Sequence, residues 1–339
     1  MRNQQYQRIL LITVGLWFTV LTNSSPAENV RIPAKSKALA HYIMAVVEDL
    51  NGNDQQAMLQ YEKSVKLDPQ QPVCHLRLGA YYARIGRISE AVAQLKAAIK
   101  IKSDLVQSHY LLALIYSSQK KYDLAIAQYE TILAAAAKDD PDNAEVHYYL
   151  SQLYFISGKY AQAQLQLSQV LRYQPKNVSA LYLEGNVFLE LKQKEKAKVD
   201  FRKVLSVEPQ HDGALNALAY VYAEEGINLD EALRMARKAV EIDSTNGAYH
   251  DTLGWVLFKK GLYQESLMVL EKAQRYITDP VLSDHLGDVY LASHEPALAR
   301  KAWIKSLSLM PRQVQVLQKL EQLNKKSARN EGAAYPSAK

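Results

Sequence analysis

Five histidines fall at matched places in the chain: His41, His75, His109 and His147 stand 34, 34 and 38 residues apart, and His250 takes the same place further on. Imidazoles in such a series could ligate zinc or move protons. Zinc holds its nitrogen ligands at roughly 2.0 to 2.1 Å, whereas equivalent residues on stacked helical units are separated by about 8 to 10 Å, the spacing of packed helices. The series therefore cannot share one ion. It reads as a set of packing histidines, with a pH response of the N-terminal half as the functional alternative. The single cysteine, Cys74, rules out intramolecular disulfides, cysteine zinc fingers and CxxC redox chemistry. No GxSxG elbow, P-loop, HExxH or dinucleotide fingerprint is present. Neither catalysis, a cofactor nor a small-molecule substrate is expected.

The elements that carry these residues are long helices. The 339 residues include only 13 Gly and 11 Pro against 48% hydrophobic residues, which disfavours folds built on many tight turns. The net charge of +6 sits at the two ends: residues 1–27 carry +2, residues 312–339 carry +4, and the body between is neutral. Nucleic-acid binding needs a concentrated basic footprint, so a nucleic-acid partner is not expected.

Residues 1–27 read as an export signal. Arg2 and Arg8 precede the 13-residue apolar run Ile9–Leu21, and Ser25-Pro26-Ala27 sets small residues before a cleavage point at Glu28. The run falls short of the ~20 residues that span a bilayer. The alternative is an uncleaved inner-membrane anchor over residues 9–27, which would be the chain's only membrane contact. Residues 28–37 then form a linker, and the mature protein would be periplasmic or attached to the cell envelope.

The body repeats itself about every 34 residues. Units begin at residues 38, 72, 106, 144, 178, 212, 247 and 280, and each holds two stretches of helical period joined at a short turn, marked by Gly52, Gly86, Gly158, Gly226 and Gly261 in five of them. The eighth place is always small: Ala45, Gly79, Ala113, Ser151, Gly185, Ala219, Gly254 and Gly287. So is the place where the second helix must cross the first: Ala57, Ala91, Ala125, Ala163, Ala197, Ala232, Ser266 and Ala299. Helix axes approach closely only over small side chains. Large residues fill the layers between: Met44, Leu78, Leu112, Leu150, Leu218, Leu253 and Leu286 in one row, broken by Glu184, and Tyr61, Leu95, Tyr129, Leu167, Phe201, Leu270 and Trp303 in another. Pro69, Pro175, Pro209 and Pro311 close units.

This pattern over residues 38–311 resembles the tetratricopeptide repeat, a helix-turn-helix unit of 34 residues. Its last three units, with Leu253-Gly254-Trp255 and Asp284-His285-Leu286-Gly287, look like the closing repeats of exported bacterial tetratricopeptide proteins. The resemblance implies an all-α, right-handed superhelical solenoid of eight repeats whose first helices line a concave face. It also implies a capping helix at residues 312–324 and a disordered tail at 325–339, with the Lys138–Asp142 insertion lengthening one turn.

The same resemblance nominates a partner-binding groove on the first helices: Tyr42, Tyr110, Tyr148, Gln152, Tyr182, Asn186, Asn216 and Tyr220, continuing to Asp251, Trp255, Asp284 and Asp288. Aromatic rings supply contact area at low rotamer cost, and amides can bond an extended peptide backbone. The competing reading of the Tyr row is packing against the neighbouring repeat. The acidic end would favour a basic partner segment. No Lys stands in the row that captures chaperone C-termini in one subtype of the family. The implied function is a non-enzymatic adaptor or scaffold that binds other proteins or extended peptide segments. The alternative is a structural or assembly subunit of a secretion, pilus or exopolysaccharide machine.

Overall fold

A computed structural model describes residues 32–136 and 143–333. The export segment 1–27, the insertion Lys138–Asp142 and the last six residues lie outside the described residues. Seventeen helices and no strand are found among those described. They are α1 (Ala34–Leu50), α2 (Asp54–Leu67), α3 (Pro72–Arg84), α4 (Ile88–Ile101), α5 (Val106–Ser118), α6 (Tyr122–Ala136), α7 (Ala144–Ile156), α8 (Tyr160–Tyr173) and α9 (Val178–Glu190). There follow α10 (Lys194–Val207), α11 (Asp212–Glu225), α12 (Leu229–Ile242), α13 (Gly247–Lys259), α14 (Tyr263–Ala273), α15 (Pro280–Ala292), α16 (Pro296–Leu309) and α17 (Val314–Ala333). The chain divides into two compact units, Met1–Ile115 and Tyr116–Lys339.

Local chemistry starts and stops these helices. Side chains of Asn143, Asn177, His211, Asn246 and Asp279 cap the N-termini of α7, α9, α11, α13 and α15, each accepting from a backbone N–H of the first turn. Pro69, Pro175, Pro209 and Pro311 each stand two residues past a second helix, where the chain can no longer propagate it. The inner turns share one closure, a backbone N–H reaching back five residues to a carbonyl: Asn53 to Glu48, Arg87 to Tyr82, Lys159 to Tyr154, Gln193 to Phe188 and Glu295 to Tyr290 among them. The residue before each donor is left-handed. It is glycine at Gly52, Gly86, Gly158, Gly226 and Gly261, but Lys120, Lys192 and His294 hold the same conformation with φ of 58°, 60° and 62°.

In the first unit α1 packs on α2, α2 on α3 and α3 on α4. Ala45, Ala57, Gly79, Ala91 and Ala113 are fully buried at the crossings, and Tyr61, Leu78, Leu95 and Leu112 fill the layers. Met44 departs from its expected row. It is 49% exposed, beside exposed Leu39 and Ile43, because no described helix precedes α1 to cover that face.

In the second unit consecutive helices from α6 to α17 pack in pairs, and first helices also touch one another, α7 to α9, α11 to α13 and α13 to α15. A helix that meets both its neighbour and its neighbour's neighbour is the contact pattern of stacked hairpins. The small places are occupied to contact: a Cβ added to Gly185 would stand 2.5 Å from the Phe201 ring. A further set of links ties one hairpin to the next. Tyr154 donates to Glu130 at 2.6 Å, Tyr290 to Glu271 at 2.9 Å, and Arg202 donates to the Tyr222 hydroxyl at 2.6 Å. In the first unit Tyr82 donates to Glu62 in the same way, at 2.7 Å.

Helix α17 covers Trp303 and Ala299 with Val316, Leu320 and Leu323. It continues beyond residue 324 to Ala333. Residues 325–331 hold no Gly or Pro, and good helix formers such as Lys, Ala, Arg and Glu let propagation continue. Lys325 pairs with Glu321 one turn back.

Candidate functional site

The first helices of the second unit present a row of half-buried side chains, one on each of two successive turns. On α7 these are Tyr148 and Gln152, on α9 Tyr182 and Asn186, on α11 Asn216 and Tyr220. All six keep part of their surface open while the opposite sides of the same helices bury Leu150, Ser151, Leu181, Gly185, Leu218 and Ala219. Spacing four within each pair puts both members on one helical face.

The six are not equally free. The Tyr182 ring lies 4.7 Å from that of His211 and 6.0 Å from that of Phe201, and its hydroxyl fills the space over Gly213. Packing thus takes up much of this ring. Asn186 donates to the Tyr182 carbonyl at 3.0 Å, which leaves its amide oxygen available. The Asn216 Oδ1 is buried and has no hydrogen-bond partner among the described residues, an arrangement that costs free energy. Tyr148 sits 6.3 Å from Tyr149, centroid to centroid. Burial, reinforced by Glu224 and Asp251, pushes the Tyr220 phenol above its ordinary range. In the first unit Tyr42 and Tyr110 are half-buried, and Tyr42 lies 6.1 Å from the Tyr61 ring.

The acidic residues further along are engaged by the chain itself. Asp251 is buried and bonded to His285 Nδ1 at 2.9 Å. The His285 ring stacks on Trp255 at 4.0 Å, and Trp255 stacks in turn on Phe258. Trp255 is only 7% exposed and donates its indole N–H to Glu224 at 2.7 Å. Lys319, from α17, bridges Asp284 and Asp288 at 2.7 Å each. Burial still lifts the Asp288 carboxyl above its usual range against the pull of Lys319. That a basic residue of the last helix faces this aspartate pair is not written in any local pattern. The only hint is that Lys319 falls among the apolar places Val316, Leu320 and Leu323.

Glu184, which interrupts the leucine row, meets buried Asp200 of α10. Burial first, and then the charge and hydrogen bond of Asp200, push the Glu184 carboxyl up to about 7. Asp200 keeps a salt bridge to Lys203 at 2.8 Å.

The histidine series turns inward. Nδ1 of His41, His75 and His147 meets the amides of Gln60, Gln94 and Gln166 at 2.7, 2.6 and 2.7 Å, linking first and second helices of one hairpin. His75, His109 and His250 use Nε2 on the carbonyls of Pro69, Ser103 and Ser244 in the turn before their own helix. A carbonyl only accepts, so Nε2 of His75 carries a proton, while its Nδ1 meets Oε1 of the Gln94 amide. Among the described residues no three His, Cys, Asp or Glu side chains gather to hold a metal. No described helix is long and apolar enough to cross a membrane.

In each unit these observations define helix pairs with small residues buried at the crossings, and in the second unit a polar, aromatic strip along the first helices. Family models of the tetratricopeptide repeat match residues 104–176 and 157–198, and over that stretch the helix pairs are tetratricopeptide repeats. Type IV pilus assembly protein PilF of Pseudomonas aeruginosa is 33% identical over 128 residues, 37% of this chain and 50% of that protein. TPR repeat-containing protein PA4667 of the same organism is 26% identical over 122 residues, 36% of this chain and 21% of that protein. The chain thus spans half or less of these curated relatives. A crystal structure of a tetratricopeptide repeat protein from Parabacteroides merdae superposes with a TM-score of 0.58 at 20% identity, covering 74% of this chain and 98% of that one. The APC/C hetero-tetramer Cut9-Hcn1 gives 0.58 at 15% identity, covering 80% and 52%. At these identities the structures speak for the fold. Proteins of this fold are generally scaffolds for protein interaction.

Proposed function

We propose that the chain is a non-enzymatic adaptor of the bacterial cell envelope that holds an extended segment of another protein along its first helices. The observation that carries this reading is the half-buried row Tyr148, Gln152, Tyr182, Asn186, Asn216 and Tyr220 on three successive first helices. Rigidly stacked hairpins present such a strip already formed, so most of the ordering entropy falls on the ligand. The envelope assignment rests on the basic and apolar start of the sequence, residues 1–27.

A second reading, a subunit of a pilus or secretion assembly that docks by its second helices, is favoured by the likeness to a type IV pilus assembly protein. Exposed Leu165 and Val199 on α8 and α10 would serve such docking. Photo-crosslinkers at Gln152 and at Leu165 separate the two in envelope extracts. Adaptor use gives partner adducts from Gln152. Adducts from Leu165 with none from Gln152 would overturn the groove reading and favour the second.

A further inference from the structure

Within the first unit a cleft of about 490 Å³ opens between α1 and α3, lined by Val46, Asp49, Leu50, Asp54, Arg77 and Tyr81, with Ala80 and Arg84 completing it. Its size falls in the range of ligand-binding clefts, about 300 to 1,000 Å³. The charges within it are not equivalent. Asp49 accepts from the Tyr61 hydroxyl at 2.7 Å, and Asp54 is paired with Arg84 at 2.7 Å. Arg84 also lies over the Tyr81 ring, 4.7 Å from its centroid, and that ring is buried in the floor. Arg77 is exposed and has neither an ion pair nor a hydrogen bond among the described residues. Beside it stands an apolar wall, with Leu50 74% exposed and Val46 half-buried. The cleft therefore offers one guanidinium without an ion pair and one uncovered aliphatic surface; Asp54 is neutralised by Arg84, while Asp49 keeps its charge against the neutral Tyr61 hydroxyl.

We propose that this cleft receives an acidic extended peptide segment of a partner protein, a carboxylate resting on Arg77 and a neighbouring aliphatic side chain covering Leu50, Val46 and Ala80. Guanidinium and carboxylate match as a planar fork, and covering Leu50 removes apolar surface from water. Two turns of helix place Arg84 about 10 Å further along α3. A second carboxylate three residues on in a ligand of polyproline-II form returns to the same face after about 9 Å and can share Arg84 with Asp54. The proposal rests on the reading of the first helices as peptide-binding and fixes the chemical class of the ligand. It also reverses the polarity expected from the acidic residues near the C-terminal end, where Lys319 and His285 are the counter-groups.

The test is fluorescence anisotropy on the purified full chain with three labelled peptides of identical aliphatic content, bearing Glu, Gln or Lys at the same places. The Glu peptide is expected to bind about tenfold or more tightly than the Gln peptide, the size of one charge-assisted contact, and to weaken with added salt. Arg77→Ala should erase that preference, and Arg77→Glu should invert it toward the Lys peptide. Arg77 is exposed and unpaired, so both variants should keep the wild-type helical signal and melting profile. Equal binding of all three peptides, a preference for the Lys peptide, or indifference to Arg77→Ala would overturn the acidic assignment. If charge-blind binding is then lost on Gln152→Ala, the groove reading stands without it. Binding of none of the three would overturn both.

Discussion

Glu184 sits where the other hairpins place leucine, and its carboxyl is raised from 4.5 to about 7 by burial and by Asp200. A tenfold change in proton affinity corresponds to about 1.36 kcal/mol between protonation states, so the raised carboxyl links folding to pH by an amount on the order of 2 kcal/mol once solvent screening of its open side is allowed for. The folded state binds this proton more tightly than the unfolded state. Its contribution is fully present below about pH 4.5 and is lost as pH rises through about 7. Glu184→Gln keeps a neutral side chain against Asp200 and removes the titration. Between about pH 5, where part is already gone, and about pH 9, denaturant unfolding should show wild type losing on the order of 1–2 kcal/mol more than Glu184→Gln, solvent reaching this partly open side chain reducing the full effect. In a stack that unfolds by hairpins rather than in one step, amide exchange in α9 and α10 reports the same difference locally. Glu184→Leu restores the row and should be the most stable of the three at the alkaline end. Identical pH dependence in wild type and Glu184→Gln would refute the reasoning, because the raised carboxyl is the only source of the difference.

Lys192 occupies a left-handed turn at φ 60°, so Lys192→Gly should raise stability by about 1 kcal/mol, measured by thermal unfolding; a loss instead would show that the turn is not strained. Gly185→Ala drives a methyl to 2.5 Å from the Phe201 ring and should cost about 1–3 kcal/mol in the same assay. Lys319→Ala leaves Asp284 and Asp288 without their counterion and should release α17. Faster amide exchange confined to α17 and α15 is the expected sign, with a cost of about 1–3 kcal/mol for the partly exposed pair.

What could be read from the chain is whatever repeats. Small residues at the eighth place and at the crossing recur in phase, and in the structure they are buried where helices meet, from Ala45 to Ala299. Prolines such as Pro69 and Pro209 mark where second helices have ended for a reason local to one residue. The left-handed turns at Lys120, Lys192 and His294 carry no glycine, so composition alone does not reveal them. They are held by the same five-residue backbone closure as the glycine turns. The engagement of Asp284 and Asp288 by Lys319, of Asp251 by His285, and of His75 by Gln94 depends on which side chains of separate helices come into register. Those pairings lie 19 to 35 residues apart, beyond any local signal. The charge of the last helix and the acidity of the first helices were each visible, and only their mutual distance was not.

The backbone closure of the inner turns spares the side chains. It uses an amide and a carbonyl from the main chain, and it survives with glycine, lysine or histidine at the bend. A scaffold joined in this manner leaves nearly every outward position free to drift. Binding preference can then be rewritten one residue at a time without renegotiating how the hairpins stack.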